Sequence, residues 1–198
     1  MRKIVCLSVL GLINFILLGC VDTSALNSSK KQIAQANIQL GLAYLQEHKM
    51  QMAKQKLLAA LAVAPKYPVS WYSMAYYYEI TEDNDSANRF YLQALTLVPQ
   101  DSAANNNYGV FLCQQGKYQQ AISRFLIAAQ NIYYLNSAAA YENAGLCALC
   151  IPDFKRAQSY FGKARQENPK YTQPITVILR NQQLHFLRKL PKLWYCQK

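Results

Sequence analysis

The residues best suited to chemistry are few: two histidines, His48 and His185, and six cysteines in 198 residues. His48 lies between two apolar stretches, in what reads as a turn, where a solvated role is expected rather than catalysis. No Ser/His/Asp set, phosphate-binding loop or dinucleotide Gly motif can be composed from this chain, so no enzyme and no small-molecule substrate is expected. Cys147 and Cys150 have C-x-x-C spacing. No second C-x-x-C or His pair completes a zinc site, and no βαβ pattern surrounds them. Neither a metal nor a dissociable cofactor is therefore expected. Both cysteines fall on one helix, which favours packing over redox exchange. In an oxidising compartment Cys113, Cys147, Cys150 and Cys196 are all disulfide candidates, and spacing leaves their connectivity open.

Cys20 points to another chemistry. Met1-Arg2-Lys3 is a short positive segment, and residues 4–18 form an apolar run broken only by Ser8, Gly11 and Asn14. The run is short of the ~20 apolar residues of a membrane span, and its charge and length suit a secretory signal. Its ending, Leu17-Leu18-Gly19-Cys20, resembles the bacterial lipobox. That resemblance implies a signal peptide over residues 1–19, diacylation of the Cys20 thiol, cleavage before it and acylation of the new amine. Each buried CH₂ contributes about 0.8 kcal/mol, so several acyl (palmitate-type) chains anchor firmly where one does not. The alternatives are an ordinary signal peptide with an incidental Cys, or an uncleaved anchor. Val21, not Asp, follows the cysteine, and Asp22 is one position late. By resemblance to Gram-negative sorting, this implies the outer membrane, facing the periplasm.

The elements that follow are set by a repeat. Gly41, Ala75, Gly109 and Gly145 recur at steps of 34, 34 and 36 residues. Ala53, Ala87, Ala121 and Ala157 keep the same steps, as do Leu57, Tyr91, Phe125 and Phe161, and Ala60, Ala94, Ala128 and Ala164. Pro65, Pro99 and Pro169 close three of the four units. Small, aromatic, small and Pro at a period of 34 is the tetratricopeptide (TPR) pattern. Each unit is expected to be two antiparallel helices. Small residues let the backbones cross closely, the large residue fills space toward the next unit, and Pro ends the second helix. The expected fold is all-α: a right-handed α-solenoid of about four helix pairs, in repeats 34–67, 68–101, 102–137 and 138–171. The third carries two extra residues, which predicts a longer turn near 131–137. Residues 20–33 are small and polar without periodicity, and read as a lipidated cysteine plus a flexible tether.

A stack of such pairs curves into a concave groove. Mapped by the repeat, the residues expected to line it are Ile38, Leu42 and Leu45 in the first unit, Val69, Tyr72 and Tyr76 in the second, and Asn106, Val110 and Cys113 in the third. Apolar side chains left on that face predict a partner protein segment. The alternative is burial against a neighbouring helix. Tyr76, Tyr77 and Tyr78 point to different faces at ~100° per residue, so at least one belongs to the core.

The formal charge is +11. Loss of Arg2 and Lys3 with the leader leaves 19 basic residues against 10 acidic ones. A basic balance suits an acidic partner, an anionic membrane or nucleic acid. Here the cations are scattered and no Arg/aromatic nucleic-acid motif is visible, so nucleic acid is not expected.

The run Asn106-Asn107-Tyr108-Gly109, with Phe111, Leu112, Cys113, Gly116, Tyr118 and Ala121, resembles the type IV pilus biogenesis and stability lipoprotein family, PilF/PilW. The segment 141–146, Y-E-N-A-G-L, is also similar, and the resemblance covers about residues 1–171. It implies a pilotin: an outer-membrane lipoprotein that binds the pilus secretin and promotes its targeting and multimerisation. The family usually has six repeats where four fit here. After Tyr171 every anchor is lost, so 172–198 is expected to be either an atypical cap, with a helix near 175–190, or a truncated end. Two other readings are a lipoprotein cofactor of a cell-wall enzyme or of outer-membrane protein assembly, and a carboxylate-clamp receptor. The clamp needs Lys and Asn where Ile38 and Leu42 stand, which argues against it.

Overall fold

A computed structural model describes residues 23–151 and 153–169. Cys20, Cys196 and the tail 172–198 lie outside the described residues. Among the described residues eight helices run in order: α1 (Thr23–Gln46), α2 (Met50–Val63), α3 (Pro68–Ile80), α4 (Asn84–Leu97), α5 (Ser102–Gln114), α6 (Tyr118–Ala129), α7 (Ser137–Leu149) and α8 (Phe154–Glu167). No strand occurs among the described residues. Consecutive helices pack as antiparallel pairs, α1/α2, α3/α4, α5/α6 and α7/α8, and α1, α3, α5 and α7 also touch in succession. The fold is the expected all-α tetratricopeptide solenoid.

Local sequence explains where the helices begin and end. Asp83, Asp101 and Asp153 cap α4, α5 and α8, accepting from the backbone N–H of Ser86 (3.0 Å), Ala104 (2.7 Å) and Arg156 (3.0 Å). Each cap satisfies one of the orphan donors of a first turn. Pro68 opens α3 at its first turn, where its missing N–H costs nothing. Pro65, Pro99 and Pro169 each follow a C-cap residue: Ala64, Val98 and Asn168. The turns inside the first three pairs share one geometry. His48 (φ 56°), Glu82 (φ 60°) and Gly116 (φ 74°) occupy equivalent left-handed positions. The next N–H in each reaches back to close the helix end: Lys49 to Tyr44, Asp83 to Tyr78 and Lys117 to Leu112, at 2.8–2.9 Å.

Packing follows the repeat. Ala53, Ala87, Ala121 and Ala157 are fully buried at the crossings. A Cβ at Gly41 would lie 2.7 Å from Leu57 Cγ, and one at Gly109 2.7 Å from Phe125 Cε1. Gly145 is covered in the same way by Phe161. The large residue therefore lies over the small residue of its own pair and does not only fill space toward the next, as expected. At Tyr91 the reach toward the next pair is seen directly: its ring is 5.7 Å from that of Phe111. The three adjacent tyrosines divide as helical geometry requires: Tyr77 is buried, Tyr78 packs on Phe90 (5.1 Å) and Tyr76 is exposed.

Two regions differ from expectation or extend it. The tether expected up to residue 33 is helical from Thr23 onward. Its Ala, Leu, Gln and Lys residues contain no Gly or Pro, and they extend a helix already nucleated by packing, so propagation is favourable. Side chains 26–33 are all exposed. The long turn between α6 and α7 is present: Asn131 ties it by accepting from Tyr133 N–H (3.0 Å) and donating to Ser102 Oγ (2.9 Å). Its apolar tip, Ile132, Tyr133 and Leu135, is almost fully exposed.

Candidate functional site

The concave face holds a pocket of about 540 Å³ where α1, α3, α4 and α5 converge. Its apolar wall is Leu42 from α1, Ile80 from α3 and Val110 from α5. Tyr72, Tyr76 and Tyr91 supply aromatic surface, and Ser73, Asn107 and Gln114 supply neutral polar groups. Glu79 is its one ionisable carboxyl. On α3 the lining residues 72, 76, 79 and 80 fall at i, i+4, i+7 and i+8, one stripe of a helix. On α5 residues 107, 110 and 114 fall at i, i+3 and i+7, again one stripe.

Four of the nine expected groove residues are here: Leu42, Tyr72, Tyr76 and Val110. Ile38 and Leu45 are not. They are buried in the core with Leu57 and Met74, on the stripe of α1 that faces the second helix. Val69 packs, half-buried, against the same core. Asn106 accepts a hydrogen bond from Asn143 Nδ2 (3.0 Å), and its neighbour Asn107 takes the lining position. Cys113 is fully buried and forms a disulfide with Cys147, their Cα atoms 6.0 Å apart. That bond joins α5 to α7. It pairs two of the four disulfide candidates, and Cys147 is also fully buried, as its packing role requires.

Glu79 is the main residue the sequence reading missed. Burial raises its pKa to about 7, and the hydroxyl of Tyr91, which donates to Oε1, works against that rise. Tyr91 itself is pushed well above its ordinary value, first by its own burial and then by the Glu79 charge. Burial also raises Tyr72. Glu79 takes part in neither ion pair found among the described residues, Lys49–Glu47 and Arg156–Asp153. A signal for it did exist. The positions equivalent to Glu79 carry Leu45, Cys113 and Leu149, all buried, so a carboxylate breaks an otherwise apolar column. Among the described residues, no three potential metal ligands cluster, and no helix is long and apolar enough to cross a membrane. The arrangement offers a docking surface: aromatic and apolar, edged with amides, and carrying one half-buried acid.

The comparisons agree with this architecture. A tetratricopeptide-repeat family model matches residues 90–123. The chain is 33% identical over 156 residues to an uncharacterized protein of Haemophilus influenzae, covering 79% of this chain and 87% of that protein. It is 32% identical over 157 residues to the type IV pilus assembly protein PilF of Pseudomonas aeruginosa, covering 77% of this chain but only 62% of PilF. The solved structure of P. aeruginosa PilF superimposes with a TM-score of 0.70 at 30% identity, over 84% of this chain and 75% of that one. The crystal structure of PilW, a widely conserved type IV pilus biogenesis factor, gives 0.64 at 27% identity, over 70% and 63%. The helix pairs, the inner-face pocket and these relatives place the chain in the PilF/PilW family of tetratricopeptide-repeat proteins of type IV pilus biogenesis.

Proposed function

We propose that this chain is an outer-membrane lipoprotein, anchored through acylated Cys20 on the periplasmic face. In this reading it binds the type IV pilus secretin and promotes its targeting and multimerisation. The protein acts as a scaffold with no catalytic step, cofactor or nucleic-acid partner. The observation that carries the reading is the pocket of Leu42, Tyr72, Tyr76, Ile80 and Val110 on the inner face of a pilus-biogenesis solenoid. Exposed aromatic and apolar side chains on a concave helical face gain free energy when a partner segment covers them. Lipid on Cys20 would turn capture into delivery, since whatever the groove holds is carried to the membrane that the acyl chains enter.

The test is a crosslink in cells. A photoreactive residue at Tyr76, which is exposed and lines the pocket, should capture the secretin, with the partner identified by mass. Recovery of a peptidoglycan synthase or hydrolase instead would favour the cell-wall cofactor reading.

A further inference from the structure

We infer that the Glu79 pocket receives a Lys or Arg side chain of the segment that docks on the concave face. The inference rests on that face being a docking surface, but not on the partner being the secretin.

The first ground is charge left uncompensated. A carboxylate can accept about four hydrogen bonds, and Tyr91 is the one described donor to Glu79. No Lys or Arg lines the pocket, although the chain has 21 of them against 10 acidic residues. The second ground is position. Leu45, Cys113 and Leu149 fill the same place in the other repeats, so the solenoid does not need an acid there. A half-buried charge opposes folding unless something pairs with it. The third ground is the shape of the surroundings. Long cationic side chains bury an aliphatic stem and keep the charged head apart. Leu42, Ile80 and Val110 suit the stem, Glu79 suits the head, and the faces of Tyr72 and Tyr76 suit a cation beside them.

The groups that face Glu79 make its titration a clean reporter. Tyr72 and Tyr76 face it from α3 and Tyr91 from α4, while α1 and α5 contribute only Leu42, Asn107, Val110 and Gln114. Burial holds its pKa near 7, so an arriving cation must pull that value down, and by linkage must bind more tightly above pH 7 than below it.

The experiment uses the full chain in detergent micelles, with ¹³C-labelled glutamate side chains, titrated by NMR. The probe is n-butylguanidinium, and the control is its neutral isostere n-butylurea. The expected result is a saturable shift of the Glu79 carboxyl resonance, a fall in its apparent pKa with the cation, and no effect of the urea. Glu79→Gln should weaken guanidinium binding by about tenfold or more. Glu79→Leu, which restores the apolar column, should fold and bind none. The inference is overturned if the cation gives no saturable shift, if the urea binds equally well, or if Glu79→Gln binds as tightly. It is also overturned if Glu79→Gln converts a dimer to a monomer, which would make a second copy the occupant. Loss of secretin capture with cation binding intact would sink only the proposed partner.

Discussion

Tyr91 of α4 donates its hydroxyl hydrogen bond to the carboxyl of Glu79 on α3, across the crossing of the second helix pair. In the other pairs the residue equivalent to Tyr91 is Leu57, Phe125 or Phe161, and the residue equivalent to Glu79 is Leu45, Cys113 or Leu149. The hydroxyl and the acid thus appear together in the one repeat that floors the pocket. Removing the hydroxyl alone should be worse than removing both polar groups. Tyr91→Phe should destabilise the fold by about 1–3 kcal/mol, whereas Tyr91→Phe with Glu79→Leu should recover most of that loss. Denaturant melts of the two variants decide it, and equal losses would mean that the bond contributes little.

The acid also sets a pH dependence. Its folded pKa, about 7, lies above its ordinary 4.5, so the native state holds the proton more tightly than the unfolded chain. Its contribution to stability is therefore fully present below about pH 4.5 and is lost as pH rises through 7, by up to about 3 kcal/mol. Half-buried Glu142, also raised by burial, acts with the same sign. Glu79→Gln should flatten part of the fall in stability between pH 5 and 8, leaving the share due to Glu142. An unchanged slope in chemical melts at several pH values would show that Glu79 is well solvated.

The Cys113–Cys147 bond closes a loop with a sequence separation of 34. A cross-link of that span typically contributes about 2–4 kcal/mol, chiefly by restricting the unfolded chain. Reductant should lower the melting temperature of the native protein, and the Cys113→Ala, Cys147→Ala double variant should already melt low. A double variant that melts like the oxidised parent would argue against the bond.

At Gly109 two effects oppose each other. Ala is the better helix former by about 1 kcal/mol, but its Cβ would sit 2.7 Å from the Phe125 ring. Overpacking at a closed crossing typically costs about 1–3 kcal/mol, so Gly109→Ala should be net destabilising. Ala121→Trp, at a fully buried crossing, should be worse still. Calorimetry that finds Gly109→Ala stabilised would show that the ring can step aside.

His48 and Glu82 stand where Gly116 stands in the third pair, all with positive φ. A side chain in that left-handed region costs about 1–2 kcal/mol, partly offset by the extra entropy that glycine loses on folding, about 0.5–1 kcal/mol. His48→Gly and Glu82→Gly should each raise stability modestly, by about 0.5–1 kcal/mol. Thermal melts that drop instead would show that these side chains make contacts worth keeping.

The fold could be read from the chain because the repeat places a small residue at each crossing, but that Leu57, Phe125 and Phe161 lie over Gly41, Gly109 and Gly145 of their own pairs came only from the structure. The groove was harder, because a repeat equates positions without giving the rotation of each helix about its axis. Leu42, Tyr76 and Val110 are mutually equivalent, and all three line the pocket. Ile38, Leu45 and Cys113 lie only ~40–60° around the helix from these, enough to turn them into the core, although Tyr72 and Glu79, the equivalents of Ile38 and Leu45, line the pocket. Asn106 misses by one residue for the same reason. Glu79 escaped notice because its column is buried in the other repeats. The connectivity of the cysteines could not be read at all, since it depends on which inner-helix residues come within bonding distance.

The exposed leading end of α1 has a mechanical result. Eleven helical residues, 23–33, precede the packed part of the stack; they span about 16 Å along the axis. A floppy leash of the same length would let the body swing and drop against any surface it was fastened to. A rod holds it at a set height and passes bending from one end to the other, so a body mounted on one keeps its orientation.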